Sequence, residues 1–123
     1  MVGQTPTTLN EYYVCPLGEL QEKGALGIEI EHPRYRGWEV AVFWDGERVG
    51  TLENFCPHQG ALLSWGTVEP GQVICPLHSA IFDIVTGECL DRYTYDATAY
   101  ETFVRGDEVW ARLPGRPLKR ARV

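Results

Sequence analysis

Apolar residues occur along this chain in short segments separated by turn-forming residues, and no helical period is sustained over three turns. Residues 40–44 form a nearly continuous apolar run, which is typical of a central strand. In residues 108–113, Val109, Ala111 and Leu113 alternate with the other positions, as in a strand with one face in the core. The pattern therefore predicts an all-β fold.

Turn-forming pairs divide the predicted strands. Asp45-Gly46 suits a two-residue type I′ hairpin, Pro70-Gly71 suits a type II turn, and Gly106-Asp107 separates two strands near the end of the chain. The strands predicted around these turns are residues 12–14, 27–31, 40–44, 49–52, 73–74, 80–84, 100–105 and 108–113. Residues 19–24 are expected to form a single helical turn.

Charge is distributed unevenly over the 123 residues, which is a length typical of one domain. Residues 1–113 contain 17 acidic and 7 basic residues. The last ten residues contain no acid and four bases, namely Arg116, Lys119, Arg120 and Arg122. The acidic body argues against a nucleic-acid partner. Residues 1–8 and 114–123 are predicted to be disordered, with the basic tail a solvated terminus. No apolar run is long enough to cross a bilayer and no export signal is present, so we expect a cytoplasmic protein without a membrane partner.

Two short motifs use scarce residues. They are Cys56-Pro57-His58-Gln59-Gly60 and Cys75-Pro76-Leu77-His78, with sixteen residues between His58 and Cys75. Together they contain half of the four cysteines and two of the three histidines. The residues could be buried thiols with incidental imidazoles, a Cys₂His₂ zinc site, or ligands of a [2Fe–2S] cluster. Zinc sites usually pair like ligands within a motif, whereas each motif here mixes one Cys with one His.

The two motifs resemble the cluster-binding loops of Rieske proteins, and the resemblance continues through Phe82-Asp83 and Thr86-Gly87. It implies one [2Fe–2S] cluster bound by Cys56, His58, Cys75 and His78, with both thiolates on one iron. It also implies an antiparallel β-sandwich base with an inserted cluster-binding subdomain. Residues 1–123 would then be one Rieske domain, with a cluster subdomain at about 54–88, a base at about 9–53 and 89–113, and a tail at 114–123.

Features that the chain lacks indicate which branch of the Rieske family it resembles. The positions that match the disulfide cysteines of respiratory Rieske proteins are Ala61 and Leu77. The chain is also too short for the mononuclear iron domain of a terminal oxygenase. The resemblance therefore implies a monomeric Rieske-type ferredoxin, a one-electron carrier and not an enzyme. It would pass electrons from a ferredoxin reductase to a terminal ring-hydroxylating oxygenase. The alternatives are the small subunit of an assimilatory NAD(P)H nitrite reductase and a zinc-stabilised binding module without a redox role.

Several other residues carry weaker expectations. Cys15 and Cys89 are expected to be buried free thiols, and His32 to be exposed. Gly60 is expected to let backbone N–H groups approach the cluster sulfurs, to act as an ordinary turn glycine, or to do both. The residues Trp38, Trp44 and Trp110 are expected in the core, whereas Trp65 is either a docking residue or a core residue.

The environment of the cluster has two notable features. Rieske proteins of high potential carry Ser and Tyr donors two and four residues after the last His ligand, where this chain has Ala80 and Phe82. Ser79 would point away if the segment is extended. We therefore expect a low reduction potential, about −150 mV.

The family also often has proline in a third loop near the cluster, whereas residues 91–100 contain none.

Overall fold

The computed structural model describes residues 8–57, 60–77 and 79–121. Within these ranges the chain forms one short helix, one 3₁₀ turn and eleven strands. They are β1 (Asn10–Pro16), α1 (Leu17–Lys23), β2 (Ala25–Ile30), β3 (Glu39–Trp44), β4 (Val49–Glu53), the 3₁₀ turn (Leu63–Trp65), β5 (Thr67–Glu69), β6 (Gln72–Ile74), β7 (Ile81–Asp83), β8 (Ala99–Tyr100), β9 (Thr102–Arg105), β10 (Glu108–Leu113) and β11 (Pro117–Arg120). No helix in the described ranges is long and apolar enough to cross a membrane.

The strands form three antiparallel sheets, with the orders β1-β10-β9, β11-β2-β3-β4-β8 and β5-β6-β7. The small β5-β6-β7 sheet lies in the chain between β4 and β8, which belong to the five-stranded sheet. This arrangement confirms the prediction of an all-β, antiparallel fold.

Strand β3 separates two hydrophobic cores because successive side chains of a strand point to opposite faces. Val40 and Val42 belong to the first core, which also contains residues of β1, β2 and β10. Ala41 and Phe43 belong to the second core, together with residues of the small sheet. The members of the second core are Ala41, Phe43, Leu52, Cys56, Leu63, Val73, Cys75, Ala80, Phe82, Ile84, Cys89 and Ala97. Both motif cysteines therefore lie in one core.

Two of the predicted turns are confirmed and one is wrong. Glu69 pairs with Gln72 around Pro70-Gly71, where Gly71 has a positive φ of 79°, as the third residue of a type II turn requires. Arg105 likewise pairs with Glu108 around Gly106-Asp107. The connection after β3, however, spans four residues, 45–48, because Trp44 pairs with Val49.

The carboxylate of Asp45 explains the longer connection. It accepts hydrogen bonds from the backbone N–H groups of Glu47 and Arg48, and a third from Gly71 in the β5-β6 turn. Burial alone would raise the pKa of Asp45, but these donors hold it below its ordinary value. Asp45 therefore shapes its own loop and joins the five-stranded sheet to the small sheet.

Several element boundaries differ from the prediction, and two differences change the topology or the length of an element. The strand predicted over residues 100–105 is divided into β8 and β9, which belong to different sheets. The helical turn predicted over residues 19–24 is the longer helix α1. Of the N-terminal segment predicted to be disordered, residues 1–7 lie outside the described part of the chain.

The prediction of a frayed basic tail is wrong for residues 114–121, whereas Arg122 and Val123 lie outside the described part of the chain. Residues 117–120 form β11, which pairs with β2, and the Arg116 carbonyl accepts a hydrogen bond from the Glu31 N–H. Three tail bases meet acids of the body in the ion pairs Arg116–Glu31, Lys119–Glu29 and Arg120–Glu19. The opposite charges of tail and body thus favour docking of the tail.

Three tryptophans and one histidine are placed differently from the prediction. Trp38, Trp44 and Trp110 are half-buried and not fully enclosed, and Trp38 precedes β3 instead of lying in a strand. His32, predicted to be exposed, is half-buried because its ring packs against Tyr35 and Trp38. The indoles at positions 38 and 44 cover the edge of the first core.

Candidate metal centre

Two loops with the same backbone closure bring the motif cysteines into the second core. The first loop begins at Cys56, whose N–H donates to the Ala61 carbonyl at 2.7 Å. The second begins at Cys75, whose N–H donates to the Ala80 carbonyl at 2.7 Å. Each hydrogen bond joins a cysteine to the residue five positions later. The fifth residue of each loop has a positive φ, 74° at Gly60 and 60° at Ser79.

The equivalence of the two loops is visible in the sequence as a shared pattern. Residues 56–61 read CPHQGA and residues 75–80 read CPLHSA, so both fit C-P-x-x-x-A. The Cys–His spacings of the two motifs differ, which hides this local repeat in the sequence. Ser79 was expected to be extended, which is wrong. Its φ of 60° lies in the left-handed region, like that of Gly60 at the same position of the first loop.

The thiols of Cys56 and Cys75 are free, almost completely buried, and close to each other. Burial raises the pKa of the Cys75 thiol, and the neighbouring Cys56 thiol raises it further. The backbone N–H of Leu77 acts in the opposite direction, since it donates to Cys75 Sγ at 3.4 Å. Two adjacent buried sulfurs are soft donors of the kind that bind iron–sulfur clusters.

The other predicted ligands, His58 and His78, lie outside the described residues. Among residues 8–57, 60–77 and 79–121, no group of three or more His, Cys, Asp or Glu residues could hold a metal ion. The described part of the site is therefore the cysteine pair and its supporting loops.

Gly60 acts as a turn glycine, which is one of its two predicted roles. Its N–H donates to the Cys56 carbonyl at 2.8 Å, which closes the turn. The backbone N–H of Leu77 approaches Cys75 Sγ, a contact that nothing in the sequence indicates. Cys15 and Cys89 are buried free thiols, as predicted.

A buried polar network joins the first loop to β3. The Asn54 side-chain amide donates to Glu39 Oε1 and to Ser64 Oγ, both at 3.0 Å. Its carbonyl oxygen accepts the Ser64 N–H at 2.7 Å, and its backbone N–H donates to the Glu39 carbonyl. Asn54 is fully buried and lies two residues before Cys56, so it fixes both ends of the loop to β3.

We expect Asn54→Ala to lower the free energy of unfolding by about 2 kcal/mol, because the buried Glu39 carboxylate and Ser64 N–H would lose their partner. Chemical denaturation measures the change. Asn10→Ala is the matched control, since Asn10 is exposed on β1, and it should be close to neutral. Equal stability of the two variants would contradict a supporting role for Asn54.

Carboxylates shape the third loop, which lacks proline. Asp91 Oδ1 accepts hydrogen bonds from the Tyr93 N–H, the Ile81 N–H and the Cys89 thiol, and Asp96 Oδ1 accepts the Cys89 N–H. Burial alone would raise the pKa of Asp91, but the Cys89 thiol and the backbone donors hold it low. The loop ends at the buried Ala97, which packs in the same core as Cys56 and Cys75.

The indole of Trp65 is 56% exposed, which favours the docking role and contradicts core packing. Trp65 ends the 3₁₀ turn that follows the first cysteine loop, and it lines an open groove of about 160 Å³ together with Lys23, Leu26 and Arg120.

Comparison with known proteins agrees with this geometry. Residues 10–101 match the Rieske [2Fe–2S] domain. The 3-phenylpropionate/cinnamic acid dioxygenase ferredoxin subunit of Escherichia coli K12 is 31% identical over 108 residues, which cover 86% of this chain and 96% of that protein. The ferredoxin of carbazole 1,9a-dioxygenase from Nocardioides aromaticivorans IC177 has a TM-score of 0.67 at 29% identity, over 83% of this chain and 96% of that one. The Sphingomonas yanoikuyae B1 ferredoxin shares the fold, with a TM-score of 0.68 at 22% identity, over 85% of this chain and 100% of that one.

The chain belongs to the Rieske [2Fe–2S] family. Its cofactor is one [2Fe–2S] cluster, which decides against the zinc-stabilised module. It is an electron-transfer component and not a catalytic enzyme.

Proposed function

We propose that this protein is the ferredoxin of a multicomponent dioxygenase, and that it carries single electrons from a reductase to a terminal ring-hydroxylating oxygenase. The observation that carries the proposal is the pair of adjacent, buried, free thiols at Cys56 and Cys75, held by two equivalent loops in a Rieske chain. The relatives named as dioxygenase ferredoxins support the choice of partners. The proposal places the carrier in the cytoplasm.

We further propose that Cys56, His58, Cys75 and His78 hold the cluster, and that residues 54–88 form the cluster-binding subdomain within a base of residues 9–53 and 89–113. A [2Fe–2S] cluster with two thiolates and two neutral imidazoles supplies one-electron chemistry at a higher potential than a four-cysteine cluster, because it carries less negative charge. The described residues contribute burial and one N–H donor, that of Leu77. A donor to sulfur stabilises negative charge and so favours the reduced state.

Electron paramagnetic resonance of the dithionite-reduced protein tests the proposal, together with quantification of iron, sulfide and zinc. We expect the signal of mixed Cys/His ligation, whose average g value is lower and whose resonance lies at higher field than for a four-cysteine cluster, with equal amounts of iron and acid-labile sulfide. Stoichiometric zinc in a colourless protein, or the signal of a four-cysteine cluster, would overturn it. Electron transfer to a purified ring-hydroxylating oxygenase tests the partner assignment separately.

We expect Trp65→Ala to slow electron delivery to the oxygenase severalfold, because exposed aromatic residues are often interface hot spots. The reduction potential and melting temperature should change little, since the indole is more than half exposed. Stopped-flow reduction of the oxygenase measures the rate. Trp110→Ala serves as the control, because Trp110 lies on β10 and outside the groove. A large fall in melting temperature with an unchanged rate would show that Trp65 has a packing role.

A further inference from the structure

Three aromatic side chains form a continuous path from the surface to a proposed cluster ligand. Tyr35 is half exposed, and its ring stacks on Trp38 with centroids 5.0 Å apart. Trp38 in turn meets Phe55 edge to face at 5.3 Å. Both separations are those of rings in contact. Phe55 is covalently joined to Cys56, so this aromatic ladder of Tyr35, Trp38 and Phe55 ends at a buried thiol.

The surface at the outer end of the ladder is basic, whereas the protein as a whole is acidic. Residues 32–38 contain two arginines, Arg34 and Arg36, and no acid, in a chain of net charge −6. Both arginines flank Tyr35 and are exposed. The two adjoining acids along the chain are Glu31, which is paired with Arg116, and Glu39, which is buried and accepts a hydrogen bond from Asn54. Exposed tyrosine and arginine side chains are enriched at protein interfaces.

We propose that residues 32–38 form a second redox port, a docking surface for a one-electron redox protein with an acidic face, connected to the cluster through the aromatic ladder. This inference rests on the proposed binding of the cluster by Cys56. One electron passes between the docked partner and the cluster, so one is oxidised as the other is reduced. No bond forms or breaks and no proton moves, because the rings act only as a tunnelling medium.

The port would allow the carrier to meet one partner through the ladder while the cluster loops face another. Electron tunnelling is faster through bonded and closely packed atoms than across gaps. The ladder offers two ring contacts and then the covalent chain from Phe55 to Cys56. A partner at residues 32–38 is therefore electronically coupled to the cluster without access to the loop tips.

A photochemical experiment on the holoprotein tests the ladder. A ruthenium polypyridyl label is attached at Arg36→Cys, where labelling is selective because all four native cysteines are buried. Flash excitation reduces the oxidised cluster, and transient absorption follows the rate. We expect Trp38→Leu to slow this step roughly tenfold, because the smaller side chain leaves a gap in the ladder. Trp38→Phe retains a ring and should restore most of the rate.

The control is Trp110→Leu, which removes an equally half-buried indole away from the ladder and should leave the rate unchanged. The visible spectrum and reduction potential should be the same in all variants. If Trp38→Leu perturbs folding, Tyr35→Leu removes the exposed end instead and should also slow the reaction. Rates equal to those of the labelled parent, in variants with an intact cluster, would overturn the ladder. A protein without the cluster would instead refute the proposed function.

A second measurement tests the charge of the port. Ferricyanide, a trivalent anion, oxidises the reduced cluster, and Arg36→Glu should slow this oxidation severalfold at low ionic strength. Arg112→Glu makes the same change of net charge on β10, away from the port, and should have a smaller effect. Equal effects of the two substitutions would contradict a basic docking surface at residues 32–38.

Discussion

Cys56→Ala is expected to yield a protein without its [2Fe–2S] cluster. Cys56 and Cys75 are adjacent and nearly completely buried, so water cannot easily replace the missing ligand. Since metal binding and folding are coupled, we also expect a lower melting temperature. Iron analysis and visible absorption of the purified variant measure the loss. Cys75→Ala, His58→Ala and His78→Ala should have the same outcome.

Cys15→Ala is the matched control for this experiment. Cys15 is also fully buried, but it lies in the first core, away from the loops. Burial raises the pKa of its thiol to about 11, so it stays protonated and inert at neutral pH. The variant should keep its full iron content. Retention of iron and an unchanged spectrum in all four ligand variants would show that the ligand assignment is wrong.

The second large effect is expected on the reduction potential, which Ala80→Ser and Phe82→Tyr should each raise. Ala80 and Phe82 are fully buried in the core that contains Cys75. A hydroxyl donor to sulfur would stabilise the extra negative charge of the reduced cluster. A hydrogen bond to a charged group contributes about 1.5 kcal/mol, which is roughly 60 mV for a one-electron couple. The double variant should show the larger shift.

Protein-film voltammetry measures these potentials. The native protein should lie near the low end of the Rieske range, about −150 mV. Ser79→Gly is the control, because Ser79 is exposed and its φ of 60° suits glycine, and the potential should not change. A native potential above zero, or no rise in either hydroxyl variant, would contradict our account of the low potential.

The features predicted from sequence are those encoded by local pattern. The apolar run of β3 and the alternation in β10 identify the sandwich, since burial repeats with the period of a strand. The pairing of β11 could not be predicted, because three of its four residues are exposed and its partner β2 is remote in sequence. The aromatic ladder was missed for a similar reason, since Trp38 and Phe55 meet only after β3 and β4 pair.

The site, like the fold, was predictable only where a local sequence pattern encodes it. Scarce cysteines and histidines in two motifs indicated the cofactor, but the groups that position the loops gave little signal. Asn54, Asp91 and Asp96 are ordinary polar residues in sequence, and each acts through backbone or side-chain partners 2 to 15 positions away. Their roles depend on hydrogen bonds that form only in the folded structure.

The docking of β11 has a consequence for solubility. Three side chains of β2, those of Leu26, Ile28 and Ile30, are buried, and without β11 this apolar strand would be the open edge of its sheet. Open edges pair with other chains and cause aggregation, whereas charged edge strands resist it. Lys119 and Arg120 give β11 that charge. The basic tail therefore protects the edge of this sheet, and its removal would make the protein prone to self-association.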